Sequence, residues 1–362
     1  MKARPAKANL FTLNEKNAKK LTLILGCVLL ILIIIIALFP LLDREQERAE
    51  VTTYSMGSYV LQTVYGDDRD KAAESAASAV QELENKISWR ISDSDIYKLN
   101  AAAGENWTKI SDETFSILSM AQGVSEKSGG AFDITIAPIS RLWDFDNDRR
   151  EIPDDDLIAS MLENVGYEEL RLDADDGTAS LKSYGTAIDL GAVGKGAACD
   201  AAVEVYKSSD VSAAIVSVGG SIGIYGEKET GKPWSVAVRD PKSSGTLGTL
   251  SVVSGFISTS GSYEKCFEAD GKLYHHIIDP STGYPAESGL VSVTVLSDSG
   301  ALSDALATAC FVLGLDDGLA LLEEYDAQGI FIDNNDRVTV TTGLSDSFKL
   351  SADSYSLSFT ES

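Results

Sequence analysis

Histidine is nearly absent from this chain. Only two occur in 362 residues, and they are adjacent, His275 and His276. Any imidazole chemistry is therefore confined to one place. Cysteine is also scarce. Cys27, Cys199, Cys266 and Cys310 lie far apart and form no C-x-x-C pair. That argues against a disulfide scaffold and against a zinc site, and leaves Cys199, Cys266 and Cys310 as small buried hydrophobes. Positive charge is short too. Thirty Lys and Arg face 55 Asp and Glu, a net charge of −25. Residues 1–20 hold Lys2, Arg4, Lys7, Lys16, Lys19 and Lys20 against Glu15 alone. Removing that +5 leaves −30 for residues 21–362. A body this acidic is no nucleic-acid partner, because phosphate contacts need clustered Lys and Arg. Its acidity reads as solubility.

One long apolar run is present, LTLILGCVLLILIIIIALFPLL at residues 21–42. A hydrocarbon core of about 30 Å needs roughly 20 such residues in a helix. The run exceeds the usual apolar stretch of a cleaved signal peptide. Its basic flank belongs in the cytoplasm. The expected organisation is a cytoplasmic basic segment (1–20), a single-pass membrane anchor (21–42), a charged linker (43–50) and one extracytoplasmic domain (51–362). A second reading uses Ile24-Leu25-Gly26-Cys27, which loosely resembles a lipoprotein cleavage box with Cys27 acylated. Most of the apolar run follows that cysteine, which weighs against it.

Periodicity predicts the elements. Alternation in MGSYVLQTVYG, 56–66, predicts the first strand. RDKAAESAASAVQELENKIS, 69–88, places Ala73, Ala76, Ala77, Val80, Leu83 and Ile87 on one helical face. A second helix is expected over 111–130, and further helices over 194–209 and 303–314. Strands are expected near 178–184, 213–218, 235–239, 248–258 and 290–296, with two more between 329 and 341. NDRREIPDDD, 147–156, reads as a polar loop. Hairpins mixed with long helices, without strict alternation, predict the α+β class.

Several short stretches admit a chemical reading beside a plain one. GAFDITIAPISRLWDF, 130–145, reads as a surface turn with aromatic packing, bent at Pro138. IDLGAVGKGAACDAA, 188–202, runs from a strand through a glycine-rich turn into a helix. It is either a tight connection or an anion cradle of free N–H groups, with Lys195 adding charge. The paired glycines in VSVGGSIGIYG, 216–226, either form a turn or let backbone approach a flat ligand. SGFISTSGSYEKCF, 254–267, reads as a hairpin with GKLYHHIIDPSTGYP, 271–285, its hydroxyls able to face phosphates. SDALATACF, 303–311, puts Asp304 and Thr308 at i, i+4 on one helix face. They are either hard oxygen ligands for Mg²⁺ or part of a helix start capped by Ser303.

The order of these stretches is more specific than any one of them. M-G at 56, S-D-I-Y-K-L-N at 94–100, G-A-F-D-I-T at 130–135, D-L-G-A-V-G-K-G at 189–196 and V-G-G-S-I at 218–222 come in turn. T-S-G-S-Y-E at 259–264, H-H-I-I-D-P-S-T-G-Y-P at 275–285 and D-A-L-A-T-A at 304–309 follow. The series resembles the ApbE family of FAD:protein FMN transferases, over roughly residues 51–345.

That resemblance implies an ApbE-like, T-fold-like arrangement of mixed and antiparallel sheets with packed helices. It implies FAD as substrate, Mg²⁺ as cofactor, and an acceptor flavoprotein modified at Thr or Ser. The metal ligands would be Asp304, Thr308, the backbone oxygen of Ala192 and a carbonyl from Ala307. Flavin and adenosine contacts would come from Met56, Ala131, Phe132, Asp133, Asp189, Lys195 and Ile278. His276 would be the catalytic base, with His275 incidental and Asp279 orienting the loop. Trp89-Arg90 stands where some relatives carry a Tyr that stacks on the ligand. An FAD pyrophosphatase and a non-catalytic FAD-binding module are the competing readings. An extracytoplasmic solute-binding or adhesion domain explains the anchor but none of the motifs.

Overall fold

The alternation in the first strands folds into a hairpin of β1 (Arg48–Ser55) and β2 (Ser58–Gly66). Met56 and Gly57 form its turn, with φ of 56° and 66°. Positive φ at both central residues suits a two-residue hairpin turn. β1 begins inside the stretch expected as a linker. Its register against β2 runs back to Arg48↔Tyr65 and buries Ala49, so strand pairing outweighs the local charge.

The computed structural model describes Lys20 and residues 47–147, 150–228 and 231–361. The expected anchor, its basic flank and Cys27 lie outside the described residues. Among the described residues no helix is long and apolar enough to cross a membrane.

Helix α1 (Arg69–Ile87) buries Ala72, Ala73, Ala76, Val80, Leu83 and Ile87, the predicted stripe shifted slightly. Helices α2 (Asp95–Ala101) and α3 (Asp112–Lys127) start at Ser94 and Ser111, whose hydroxyls accept from Tyr97 N–H and Thr114 N–H. The stretch expected as a surface turn is helix α4 (Ala137–Trp143). Pro138 sits in its first turn, where a missing N–H is harmless. Trp143 is fully buried rather than superficial. The polar loop ends early, in α5 (Asp155–Leu162), capped by Asp154. A short sheet follows the order β3-β5-β4 (Thr108–Lys109, Thr178–Leu181, Leu170–Asp173).

Then come α6 (Gly194–Lys207), β6 (Val211–Val218), β7 (Ser221–Tyr225), β8 (Trp234–Arg239), β9 (Thr246–Val252), β10 (Gly255–Gly261), β11 (Cys266–Ala269) and β12 (Lys272–His275). The chain ends with β13 (Leu290–Ser297), α7 (Gly300–Leu313), α8 (Leu315–Glu324), β14 (Gln328–Asp333), β15 (Arg337–Val340), β16 (Phe348–Leu350) and β17 (Ser356–Phe359).

The main sheet has the order β1-β2-β6-β7-β10-β13-β14-β15-β17. All its pairings are antiparallel except β15 with β17. Successive strand residues point to opposite faces, and the two faces build different cores. Val60, Val64, Ala214 and Val216 join the helical core with α1, α6 and α7. Ala213, Ile224, Ile257 and Ile330 pack against Trp234, Val236 and Leu250 of the three-stranded sheet β16-β9-β8. The single strand expected over 248–258 is therefore two. β9 belongs to the small sheet and β10 to the large one, with the break at Val253-Ser254. A third cluster of Ile139, Trp143, Ile158, Phe267, Tyr274 and Ile278 ties α4 and α5 to the β11–β12 hairpin. Residues Arg48–Ser362 form one compact unit. The fold is mixed α+β, with antiparallel sheets and packed helices.

Candidate active site around helix α7

Helix α7 starts three residues before the predicted position. Its N-cap is Ser299, not Ser303. Ser303 lies a turn inside, fully buried, and its hydroxyl donates to Gly300 O at 2.9 Å. The i, i+4 pair Asp304 and Thr308 shares one face of this helix. That face meets strands β7 and β10 through a seam of hydroxyls. Ser221 Oγ donates to Asp304 Oδ1 at 3.2 Å. Ser258 and Ser303 hydroxyls lie 2.9 Å apart, and those of Ser260 and Thr308 lie 3.0 Å apart. Ser258 and Ser260 of the polar run STSGS thus face α7, and β10 is a main-sheet strand rather than half of a hairpin with 271–285.

Asp304 is 5% exposed. Its other oxygen, Oδ2, accepts from the N–H of Gly196 at 3.0 Å. Gly196 lies in the first turn of α6, so the glycine-rich turn 188–196 is locked onto α7 through this carboxylate. A buried carboxylate with only neutral donors is costly unless a cation completes it. Among the described residues Asp304 has no ion-pair partner within 4.0 Å, and no group of three His, Cys, Asp or Glu side chains gathers. The donors present are oxygens: one carboxylate, the Thr308, Ser221 and Ser260 hydroxyls, and backbone carbonyls. Such a set suits a hard cation that keeps waters and shares substrate phosphate oxygens. Ala192 stands two residues before α6, half-buried. Ala307 is fully buried in the helical core.

The turn itself is held from two sides. Asn100, last of the S-D-I-Y-K-L-N stretch, accepts from Ile188 N at 2.6 Å and donates to Ile188 O at 2.9 Å. Asp189 N donates to Ile134 O at 2.8 Å, which lays the G-A-F-D-I-T segment alongside. Asp189 Oδ1 accepts from Gly191 N, and Oδ2 accepts from Ser140 Oγ at 3.2 Å. Lys195 Nζ reaches back to Gly191 O at 3.3 Å. Met56 is at the same place: its Cε is 2.9 Å from where a Cβ on Gly194 would stand.

Asp133 closes a local turn, accepting from the N–H and hydroxyl of Thr135, both at 2.7 Å. Burial raises its pKa, partly offset by those bonds. Asp133 and Ala131 line an open depression of about 470 Å³, with Gly166, Glu168, Asp279 and Leu313 also on its wall. Leu313 is five residues beyond Thr308, so this depression sits roughly 7–8 Å further along α7. The site residues form two groups, Met56, Lys195, Asp304 and Thr308 at one end, Ala131 and Asp133 at the other. Phe132 and Ile278 differ from the rest. Both side chains are buried in hydrophobic clusters, so only their backbones remain for a ligand.

The two histidines have different surroundings. His275 Nε2 lies 3.1 Å from Ala286 O, its ring stacks edge-on to Phe311, and burial lowers its pKa to about 4. It is a packed side chain. His276 is lowered to about 3, first by burial, then by the charges of Lys265 and Lys195, with His275 adding less and the Glu264 backbone pulling the other way. Its Nδ1 is buried and makes no hydrogen bond. It is a neutral imidazole beside two lysines.

Sequence reasoning missed part of this neighbourhood. Lys265 Nζ and Arg90 both bond Asp146, each at 2.5 Å. Arg90 and Arg141 lie over the ring of Trp89, each with its guanidinium carbon 4.3 Å from the centroid. The Trp89 ring is thus already engaged by two cations. These cations are sparse in so acidic a chain, and their separation in sequence hid their convergence.

A model of the "ApbE family" matches residues 56–331. The chain belongs to the ApbE family. An FAD:protein FMN transferase of Treponema pallidum (strain Nichols) is 34% identical over 324 residues, covering 83% of this chain and 90% of that protein. One from Klebsiella pneumoniae (strain 342) is 30% identical over 283 residues, covering 77% and 87%. The crystal structure of an ApbE protein from Thermotoga maritima superposes with a TM-score of 0.73 at 30% identity, over 79% of this chain and 94% of that one. The Vibrio cholerae flavin transferase ApbE gives 0.73 at 26% identity, over 84% and 96%. The ApbE-family match spans every stretch named above, from the Met56 turn through α7.

Proposed function

We propose that this chain is an FAD:protein FMN transferase. It cleaves the pyrophosphate of FAD, releases AMP, and leaves FMN as a phosphoester on Thr or Ser of an acceptor flavoprotein. One observation carries the reading: a buried Asp304 with a hydroxyl seam faces the turn whose Lys195 also acts on a neutral His276. The relatives' shared activity supports it.

Asp304, Thr308 and the carbonyls of Ala192 and Ala307 would hold Mg²⁺. When bound there, Mg²⁺ offsets the charge of the phosphates and of the departing AMP. Lys195 draws the anionic pyrophosphate to the turn. Met56, Ala131, Asp133 and Asp189 contact the flavin and adenosine, and Phe132 and Ile278 contribute backbone. The acceptor hydroxyl oxygen bonds the FMN phosphorus while the bond from that phosphorus to AMP breaks. The hydroxyl proton passes to His276.

A base lowered to about 3 is weak at neutral pH. Efficient general bases sit near the working pH. Burial is the larger cause of that depression and the charges of Lys265 and Lys195 are the smaller. An anionic phosphate held by Lys195 would offset the push of its charge and so raise the basicity of His276 in part. The apolar run 21–42 tethers the domain to the outer face of the membrane, near acceptors in membrane electron-transfer complexes. Both statements about location rest on the sequence and on family analogy.

The test incubates the full-length chain with FAD, Mg²⁺ and a candidate acceptor domain, and records the acceptor's intact mass. Gain of one FMN less water, dependent on Mg²⁺, is expected. Free FMN and AMP with no adduct on any acceptor tried would instead make it a pyrophosphatase.

A further inference from the structure

Two aspartates, a buried Asp304 and a half-buried Asp200, cap each other's helices. Asp304 of α7 accepts from Gly196 N in the first turn of α6. Asp200, one turn further along α6, returns the contact. Its Oδ1 accepts from Gly300 N at 2.7 Å, and its Oδ2 accepts from Ala301 N at 2.8 Å and Ser299 Oγ at 3.2 Å. Those are the N-cap and first two residues of α7. Burial raises the Asp200 pKa, and its bonds to Ala301, Gly300 and Ser299 oppose that. The helices meet backbone to backbone at Gly196 and Gly300, too close for a Cβ on either.

We infer that Asp200 is a positioning residue for the cation site, an inference that rests on the function proposed above. The halves of that site come from chain segments over a hundred residues apart, the turn at 189–196 and the pair Asp304/Thr308. Their separation is set where α6 crosses α7. Asp304 cannot set it alone, because that carboxylate is itself a proposed ligand and its bond to Gly196 N competes with the cation. The side-chain bonds of Asp200 go to Ser299, Gly300 and Ala301 and not to a proposed ligand. It holds the start of α7 by three donors and so fixes the register of the ligands four to eight residues downstream. Each helix start also carries partial positive charge, which a carboxylate at Asp200 offsets for α7.

The probe is Mn²⁺, followed by its EPR signal as it binds the full-length protein with FAD present. Loss of a partner that orients metal ligands typically costs about 10–100-fold in metal affinity. Asp200→Ala is expected to weaken Mn²⁺ binding by at least about tenfold, and to raise the Mg²⁺ needed for half-maximal transfer by the same factor. Its kcat at saturating Mg²⁺ and its affinity for FAD without metal stay within about threefold of wild type. Asp200→Asn keeps the shape and one acceptor oxygen, and is expected in between. It decides the matter if Asp200→Ala does not fold. Wild-type Mn²⁺ affinity in the folded variant overturns the inference. So does a loss confined to kcat. Asp304→Asn separates the two readings. If it abolishes Mn²⁺ binding while the Asp200 variants bind normally, the site stands and the role of Asp200 falls. If Asp304→Asn binds Mn²⁺ like wild type, the site itself is wrong and the inference goes with it.

Discussion

A methyl group on Gly196 would lie 1.9 Å from the carbonyl oxygen of Gly300. No side chain can swing aside to relieve that contact, since both partners are backbone. Gly196→Ala must therefore push α6 and α7 apart. Overpacking of this kind costs about 1–3 kcal/mol and occasionally more. A loss near the top of that range is expected in urea unfolding, with Mg²⁺-dependent transfer abolished even where the protein remains folded. A variant with normal stability would show that the helices are free to separate.

Asp304→Ala removes a proposed ligand and strands two donors, Gly196 N–H and Ser221 Oγ–H. Buried unsatisfied donors cost about 1–3 kcal/mol each, so stability falls but the fold survives. Transfer with Mg²⁺ as sole metal should vanish. Thr308→Ser keeps the hydroxyl beside Ser260 and should retain most activity, whereas Thr308→Val should not. Full activity in Asp304→Ala, measured after removal of contaminating metals, would place the cation elsewhere.

His276→Ala should bind FAD normally yet transfer FMN slower by about 10² or more, the range for a lost general base. His275→Asn should lose stability instead, because its ring packs on Phe311 and bonds Ala286. Equal transfer rates in wild type and His276→Ala would remove this imidazole as the base.

Stability should fall with acid before most carboxylates titrate. His275 and His276 are lowered from 6.5 to about 4 and about 3. The unfolded chain takes up both protons near pH 6.5 and the folded one does not. Their contribution is complete above that pH and is lost as pH falls toward the folded values. Each histidine adds a slope of up to about 1.4 kcal/mol per pH unit. Asp133 and Asp200, raised by burial, take protons first in the folded state and offset part of the loss. Urea midpoints at about pH 7, 6 and 5 measure the slope, and His276→Asn should flatten it. An unchanged slope in that variant would mean His276 is not buried neutral.

Trp143→Phe tests how the histidine loop is held. Trp143 Nε1 donates to Gly283 O at 2.8 Å, within the D-P-S-T-G-Y-P turn. Losing it leaves a carbonyl unpaired, at about 1 kcal/mol or more, and frees the turn. Faster hydrogen exchange at Asp279–Tyr284 is the expected sign, since Asp279 N and Tyr284 O are themselves bonded.

Sequence alone determined the class and the family and nominated the candidate site residues, because those readings depend on local pattern and on motif order. The stripe of α1, the S-D-I-Y-K-L-N and G-A-F-D-I-T stretches, and the Asp304/Thr308 spacing are all readable in one dimension. Four features were not. The strand at 48–55 was hidden by charges that face solvent on one side of the hairpin. The split at 253–254 was hidden because β9 and β10 are both apolar, and only their partners in different sheets tell them apart. Helix α4 read as a turn because Pro138 ends helices in mid-run but begins them at the first turn. The start of α7 was displaced because its cap is shared with Asp200, 99 residues away. Contacts between distant segments leave no periodic trace. The mutual capping of α6 and α7, the bridge from Arg90 through Asp146 to Lys265, and the depression of the His276 pKa exist only once the chain is folded, because each depends on which groups burial brings together.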